Sequence, residues 1–253
     1  MTAAATGLRA ALAEFAALPT VLVATDYDGV VAPIVSDPAA AFPLPGTVDA
    51  LTALAGRTGV AVALISGRDR ATLARLSGVT SPITTVGSHG AEWEDGLEGA
   101  LDDAARERRE VVLAQLREIA ADFPGAAVEP KPLGGALHVR NVAAGNGSEA
   151  IDRARRGPAA LPGVHATDGK AVLELTVLEA SKGRALTVLR ERTGADAVLY
   201  LGDDVTDEKA FAVLTASDDV SVKVGDGATA ARFRVDTPEA VRAVFDELLT
   251  LRT

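Results

Sequence analysis

The 253-residue chain contains no cysteine. That absence excludes disulfides, thiolate nucleophiles and cysteine-ligated zinc or iron–sulfur centres, and it fits a cytoplasmic protein. Oxygen ligands remain available. No apolar stretch approaches the roughly 20 residues of a membrane span, and Arg9 and Glu14 break up the N-terminal segment, which argues against a membrane partner and against a signal peptide. Leu8, Leu12, Phe15 and Leu18 instead fit one helical face. Basic residues are in deficit, 25 against 35 acidic for a net charge of -10, and form no run, which disfavours nucleic-acid binding. An anionic ligand would need a local positive pocket. Internal repeats and low-complexity tracts are missing too. The composition does not set the number of subunits, and a monomer is compatible with it.

With 48% hydrophobic residues the chain can fill one large α/β domain, or a core plus a smaller insert. Val60 to Ile65, Ile83 to Val86, Ala197 to Leu201 and Val220 to Val224 read as buried strands. Thr47 to Arg57, Asp69 to Leu76, Lys182 to Arg192 and Pro238 to Leu251 carry apolar residues at helical spacing. Alternation of the two predicts a doubly wound parallel sheet. Between Gly96 and about Ala180 the pattern changes to a charged helix, Asp102 to Asp122, an extended region from Ala126 to Val142, a helix from Ser148, and Lys170 to Leu178. We read this stretch as a separate cap whose strands alternate apolar and polar residues, leaving one face free. Pro158 to Gly169 reads as a long loop.

Two acidic clusters follow buried-looking strands. Asp26-Tyr27-Asp28-Gly29 comes after Thr20 to Thr25, and Gly202-Asp203-Asp204-Val205-Thr206-Asp207-Glu208 comes after Val198 to Leu201. Carboxylates at the carboxyl ends of parallel strands lie in the crevice where open α/β sheets bind ligands. Clustered there they repel, and a hard cation such as Mg²⁺ offsets the repulsion. The bland alternative is a helix N-terminus with Thr206 as cap, which accounts better for Asp207 and Glu208 than for Asp203. Ser66 and Gly67, at the end of another strand, offer a hydroxyl and a backbone amide to phosphate oxygens. Lys182 opens a helix where a positive charge is unfavourable, so an anion there would compensate it.

These four elements, in this order, resemble the haloacid dehalogenase superfamily of aspartate-dependent phosphatases. Within it the chain is similar to the trehalose-6-phosphate phosphatase family. The similarity runs from DYDGVVAPI (Asp26 to Ile34) through ISGR, GSHGAE (Gly87 to Glu92), EPK (Glu129 to Lys131), HVR (His138 to Arg140) and SKG to LGDDVTDEKAF (Leu201 to Phe211). The resemblance implies an α/β, doubly wound parallel-sheet (Rossmann-like) haloacid dehalogenase core, residues 1–98 and 180–253, with an inserted smaller α/β cap over 99–179. It also implies Mg²⁺-dependent hydrolysis of trehalose 6-phosphate through an aspartyl phosphate. Asp26 would be the nucleophile and Asp28 the acid and then the base. Asp26, the Asp28 carbonyl and Asp203 would hold Mg²⁺, supported by Asp204 and Asp207. Ser66, Gly67 and Lys182 would hold the phosphate.

By the same resemblance the cap residues Glu129, Lys131, His138, Arg140 and Glu174, with His89 and Glu92 from the core, would bind the sugar. A plain solvated face is the competing reading of those charges, and His89 and His138 are equally explained as structural histidines. Arg68, Lys170 and Arg184 are left as extra anion contacts or surface charge. The chain departs from the family pattern at Val30, Val139 and Thr176. Another disaccharide or pseudodisaccharide phosphate is therefore a rival substrate, with free monosaccharide phosphates behind it. A sugar-phosphate-binding module without turnover is the rival from a different class. Gly225 to Ala230 superficially matches a dinucleotide-binding loop, but its position after a late strand makes it a turn.

Overall fold

The computed structural model describes residues 3–96, 101, 103–131, 133–143, 145–169, 171–178 and 180–252. The chain divides into two compact units, Met1–Glu94 with Ala180–Thr253, and Asp95–Glu179. The anticipated boundaries at 98–99 and at 179 lie outside the described residues, as do Asp102 and Lys170, the expected starts of a helix and a strand.

The first unit is built on a six-stranded sheet: β1 (Val21–Thr25), β2 (Val60–Ile65), β3 (Thr84–Val86), β8 (Ala197–Gly202), β9 (Val220–Val224) and β10 (Phe233–Val235). The order is β10-β9-β8-β1-β2-β3, and every pairing is parallel. β1 is buried at all five positions, as expected of a central strand covered on both faces. Successive residues alternate between faces. Val21, Val23, Leu199, Leu201, Val222 and Val224 join Leu51, Leu54, Val241, Phe245 and Leu248 in one core. Those leucines, Val241 and Phe245 come from α2 (Thr47–Ala55) and α8 (Pro238–Leu251). α1 (Ala3–Ala16) adds Leu8, Leu12 and Phe15 to the same core, while Leu18 lies beyond the helix end. α6 (Lys182–Thr193) packs against β1 and β2 and against α7 (Glu208–Val213), whose Phe211 meets the Tyr200 ring edge-on at 5.8 Å. The short helix α3 (Arg70–Ser77) starts at Asp69, which caps it by accepting the Thr72 N–H at 2.8 Å.

The second unit is a four-stranded antiparallel sheet in the order β4-β5-β7-β6, made of β4 (Ala127–Lys131), β5 (Gly134–His138), β6 (His165–Gly169) and β7 (Val172–Thr176). Leu137, Leu173 and Leu175 point to one face and are buried with Val112, Leu116 and Ile119 of α4 (Asp103–Asp122) and Ala150 and Ala154 of α5 (Asn146–Arg156). The expected long loop from Pro158 to Gly169 is corrected here. Its last five residues form β6, an edge strand whose exposed His-Ala-Thr-Asp sequence carries no apolar alternation to reveal it.

Candidate active site

β1 is the pivot of the first unit's sheet: β2 and β3 lie on one side of it, β8 to β10 on the other. The crevice at such a reversal of strand order is where open parallel sheets bind ligands. β1 and β8 pair from Val21↔Ala197 to Thr25↔Leu201, and the Asp26 N–H extends the ladder by donating to the Leu201 carbonyl at 2.9 Å. Asp26 and Asp203 therefore emerge side by side from neighbouring strand ends. Gly29 has φ +74°, and a Cβ there would stand 1.9 Å from Asp203 Oδ2, so the carboxylate occupies space that only glycine leaves open.

Three charges are buried beneath this crevice. Lys182 Nζ lies 2.7 Å from Asp26 Oδ2 and 2.8 Å from Asp207 Oδ1. These two carboxylates are the anions that a lysine at a helix start called for. Asp207 also accepts from the Tyr200 hydroxyl at 2.6 Å and from the N–H groups of Asp203 and Asp204 at 3.0 Å each. The cap of the turn at Val205 is Asp204, in a reciprocal capping box with Asp207, and not the Thr206 that the helix-terminus alternative named. Burial makes Asp26 costly to ionise and, against the pull of Lys182, raises its carboxyl to about 8. Burial, and then Asp207, raises Asp203 to about 6. Lys182 pays the same desolvation, but Asp26 and Asp207 outweigh it and hold the ammonium above its ordinary value.

Asp26, Asp203 and Asp207 each offer an oxygen within 4.8 Å of the others. Asp207 has both oxygens committed to four donors, so Asp26 and Asp203 are the groups with capacity for a metal ion. The Lys182 ammonium touches two of these carboxylates, and the Lys223 ammonium donates to the Asp203 backbone carbonyl. The surplus of negative oxygen donors is the chemistry a hard divalent cation takes.

A cavity of about 300 Å³ opens over the cluster, lined by Asp26, Asp28, Ile34, Gly67, His89, Lys182, Asp203, Asp204 and Thr206. Ser66 is buried and its Oγ accepts the Arg68 N–H at 3.1 Å. His89 sits at φ +56°, its N–H donating to the Ser66 carbonyl at 2.9 Å, and a Cβ on Gly67 would strike its ring at 2.5 Å. Burial and nearby Lys182 lower the imidazole below its ordinary value. Glu92 does not line the cavity; it accepts the Arg70 N–H at 2.9 Å, bracing the loop instead. Arg68, left aside in the sequence, grips Asp28 with Nε to Oδ2 at 2.6 Å and Nη2 to Oδ1 at 2.7 Å. A larger cavity, about 430 Å³ between α1, β10 and α8, is mainly apolar; of the two arginines lining it, Arg9 is paired with Glu247 at 2.9 Å and Arg234 donates to the Gly225 and Gly227 carbonyls.

In the second unit, the register puts Glu129, Ala136, Glu174 and Thr167 in one row across the sheet, and Lys131, Gly134, Thr176 and His165 in the next. Small residues on β5 let Lys131 reach over that strand to Glu174 at 2.6 Å. His138 Nε2 and Glu129 are 2.9 Å apart. Four of the five expected sugar-binding residues thus share one polar face, while Arg140 stands in the exposed turn after β5. Val139 packs into the unit's core, and Thr176 is on the polar face.

The parallel sheet with acidic groups at the ends of β1 and β8 defines the haloacid dehalogenase class of fold. Within that class the chain belongs to the trehalose-phosphatase family, whose model matches residues 24–239. A trehalose-phosphate phosphatase of Mycolicibacterium paratuberculosis is 40% identical over 243 residues, covering 88% of this chain and 60% of the relative. One of Mycobacterium tuberculosis is 37% identical over 238 residues, with the same coverage. The chain therefore spans about 60% of the length of the curated relatives it matches. The solved structure of Aspergillus fumigatus trehalose-6-phosphate phosphatase, crystal form 2, matches with a TM-score of 0.68 and 28% identity over 96% of this chain and 97% of that one.

Proposed function

We propose that the chain is a Mg²⁺-dependent phosphatase that hydrolyses trehalose 6-phosphate to trehalose and phosphate through an aspartyl phosphate. The observation that carries this reading is the buried Asp26 carboxylate, held by Lys182 at 2.7 Å and facing the cavity from the end of the central strand. Asp26 attacks phosphorus as the bond to the sugar oxygen breaks, and that oxygen takes its proton from Asp28. Asp28 then removes a proton from water, which attacks the phosphoryl group and releases Asp26. Lys182, the Gly67 N–H and the Ser66 hydroxyl hold the phosphoryl oxygens. Asp26, the Asp28 carbonyl and Asp203 would hold Mg²⁺, with Asp207 and Asp204 fixing the loop. When bound, the ion neutralises charge between nucleophile and phosphate.

Core residues 1–98 and 180–253 supply this chemistry, and the insert at 99–179 selects the sugar through Glu129, Lys131, His138, Arg140 and Glu174. Among the described residues no helix is long and apolar enough to cross a membrane, and we place the reaction in the cytoplasm. Thr176 on the polar face supports a related disaccharide or pseudodisaccharide phosphate as the second reading.

The test is phosphate release with Mg²⁺ from trehalose 6-phosphate, glucose 6-phosphate and p-nitrophenyl phosphate, for wild type and Asp26→Asn, with an EDTA control. Preference for trehalose 6-phosphate, lost in Asp26→Asn and with EDTA, is the expected result. Turnover of the artificial ester alone moves the substrate to another sugar phosphate. Turnover of none refutes the phosphatase reading in favour of a binding module.

A further inference from the structure

We infer that Arg68 is a positioning residue for Asp28, and that through it Arg68 governs how well the site expels a poor leaving group. The inference rests on the phosphatase reading and adds to it a residue 40 positions away from the one it serves.

Both Asp28 oxygens are engaged by one planar fork, at 2.6 and 2.7 Å. Such a bidentate pair fixes the plane of the carboxylate as well as its location. The Arg68 side chain is 15% exposed and that of Asp28 30%, so the pair is only partly open to solvent. Arg68 is itself held from three directions. Its N–H donates to Ser66 Oγ at 3.1 Å, its carbonyl accepts the Ser88 N–H at 2.8 Å, and its guanidinium lies over the Tyr27 ring at 5.8 Å. One end of the pair is thus tied to the loop after β2 and the other to the loop after β1. Val30 and Val31, which follow Asp28 closely, are buried, their side chains carry no donor, and their N–H groups go to the Tyr27 carbonyl at 3.4 and 2.9 Å.

The consequence lies in the leaving-group step. When the phosphorus–oxygen bond breaks, its electron pair stays on the leaving oxygen, which takes the proton from Asp28. A sugar or phenol oxygen of low acidity needs that proton, whereas p-nitrophenolate departs without it. Misplacing a general acid by about 1 Å costs up to about 100-fold in rate. Arg68 therefore matters in proportion to how badly the leaving group needs a proton.

The test measures kcat and KM for p-nitrophenyl phosphate, unsubstituted phenyl phosphate and trehalose 6-phosphate with Mg²⁺. The proteins are wild type, Arg68→Gln, Arg68→Lys, Asp28→Asn and the double variant Asp28→Asn/Arg68→Gln. Hydrolysis of the aspartyl phosphate, which Asp28 serves as base, is common to all three esters, so the comparison is made in kcat/KM, which ends at leaving-group departure. Arg68→Gln is expected to lower kcat/KM by about 10- to 100-fold on phenyl phosphate and trehalose 6-phosphate, and by no more than about 3-fold on p-nitrophenyl phosphate. Arg68→Lys, which keeps one charged contact, recovers part of the loss and serves if Arg68→Gln does not fold. In the Asp28→Asn background the Arg68 change should add no more than about 2-fold. Equal losses of kcat/KM on all three esters, additivity in the double variant, or a rise in KM with kcat intact would overturn the inference. If wild type cleaves the two aryl esters but not trehalose 6-phosphate, the substrate reading fails while the leaving-group comparison still decides the role of Arg68. If it cleaves none, both fall.

Discussion

Replacing Asp207 by Asn removes one charge and almost no volume, yet it should be among the most damaging single changes in the core. Oδ1 faces the Lys182 ammonium and the Tyr200 hydroxyl, and Oδ2 faces the N–H groups of Asp203 and Asp204. An amide has one accepting oxygen. Whichever side its NH₂ takes, two donors lose their acceptor in a residue with no solvent exposure. A buried unsatisfied donor costs about 1–3 kcal/mol, so the pair costs about 2–6 kcal/mol, in line with the cost of breaking a buried ion pair. For a chain of this size that is a fall of about 5–20 °C in the melting midpoint. Thermal unfolding followed by circular dichroism, with and without Mg²⁺, measures it. A midpoint within about 2 °C of wild type would refute the idea that this carboxylate is the anchor of the acidic loop.

Two further outcomes follow from the same cluster. Without metal, Asp26 and Asp203 are raised from 3.8 to about 8 and about 6, so the folded chain keeps protons there that the unfolded chain has released. Their contribution to stability is present at low pH and lost as pH rises through those values, so the midpoint of metal-free protein should fall between about pH 4 and pH 6 more steeply in wild type than in Asp203→Asn, with the two proteins parallel from about pH 6 to pH 8, where Asp26 alone is losing its proton. Parallel slopes below about pH 6 would contradict it. Gly29→Ala places a methyl 1.9 Å from Asp203 Oδ2 at a left-handed φ. It should weaken Mg²⁺ binding about 10-fold or more by isothermal titration calorimetry, and unchanged affinity would mean that Asp203 is not held where it is needed.

The parts of the fold that were legible in the sequence are those written in short local strings. β1, β2 and β8 are mainly apolar runs because central parallel strands are covered on both faces, β9 keeps three valines although Ser221 and Lys223 are buried between them, and Asp26 and Asp203 stand at the ends of β1 and β8 where the pattern breaks. Of the edge strands β3 was legible, as Ile83 to Val86, whereas β6 and β10 were not. β6 is exposed, and the three residues Phe233–Val235 of β10 give too short a window for periodicity. Partnerships were invisible for another reason. Lys182 meets Asp207 across 25 positions, and Arg68 meets Asp28 across 40. Nothing local distinguishes Arg68 from a surface arginine, and only the stacking of strand ends brings these charges into contact. The Asp204 cap was missed because Asp and Thr are both good caps, and the choice between them depends on where the turn begins.

The antiparallel sheet of the second unit divides two kinds of selection between its faces. Leu137, Leu173 and Leu175 on one side commit the unit to its fold, while Glu129, Lys131, His138, Glu174 and Thr176 stand on the other above the small residues Gly134 and Ala136. Surface substitutions of the second kind usually shift stability by no more than about 0.5 kcal/mol. The polar face can therefore be rewritten residue by residue without any intermediate chain having to survive a weakened core.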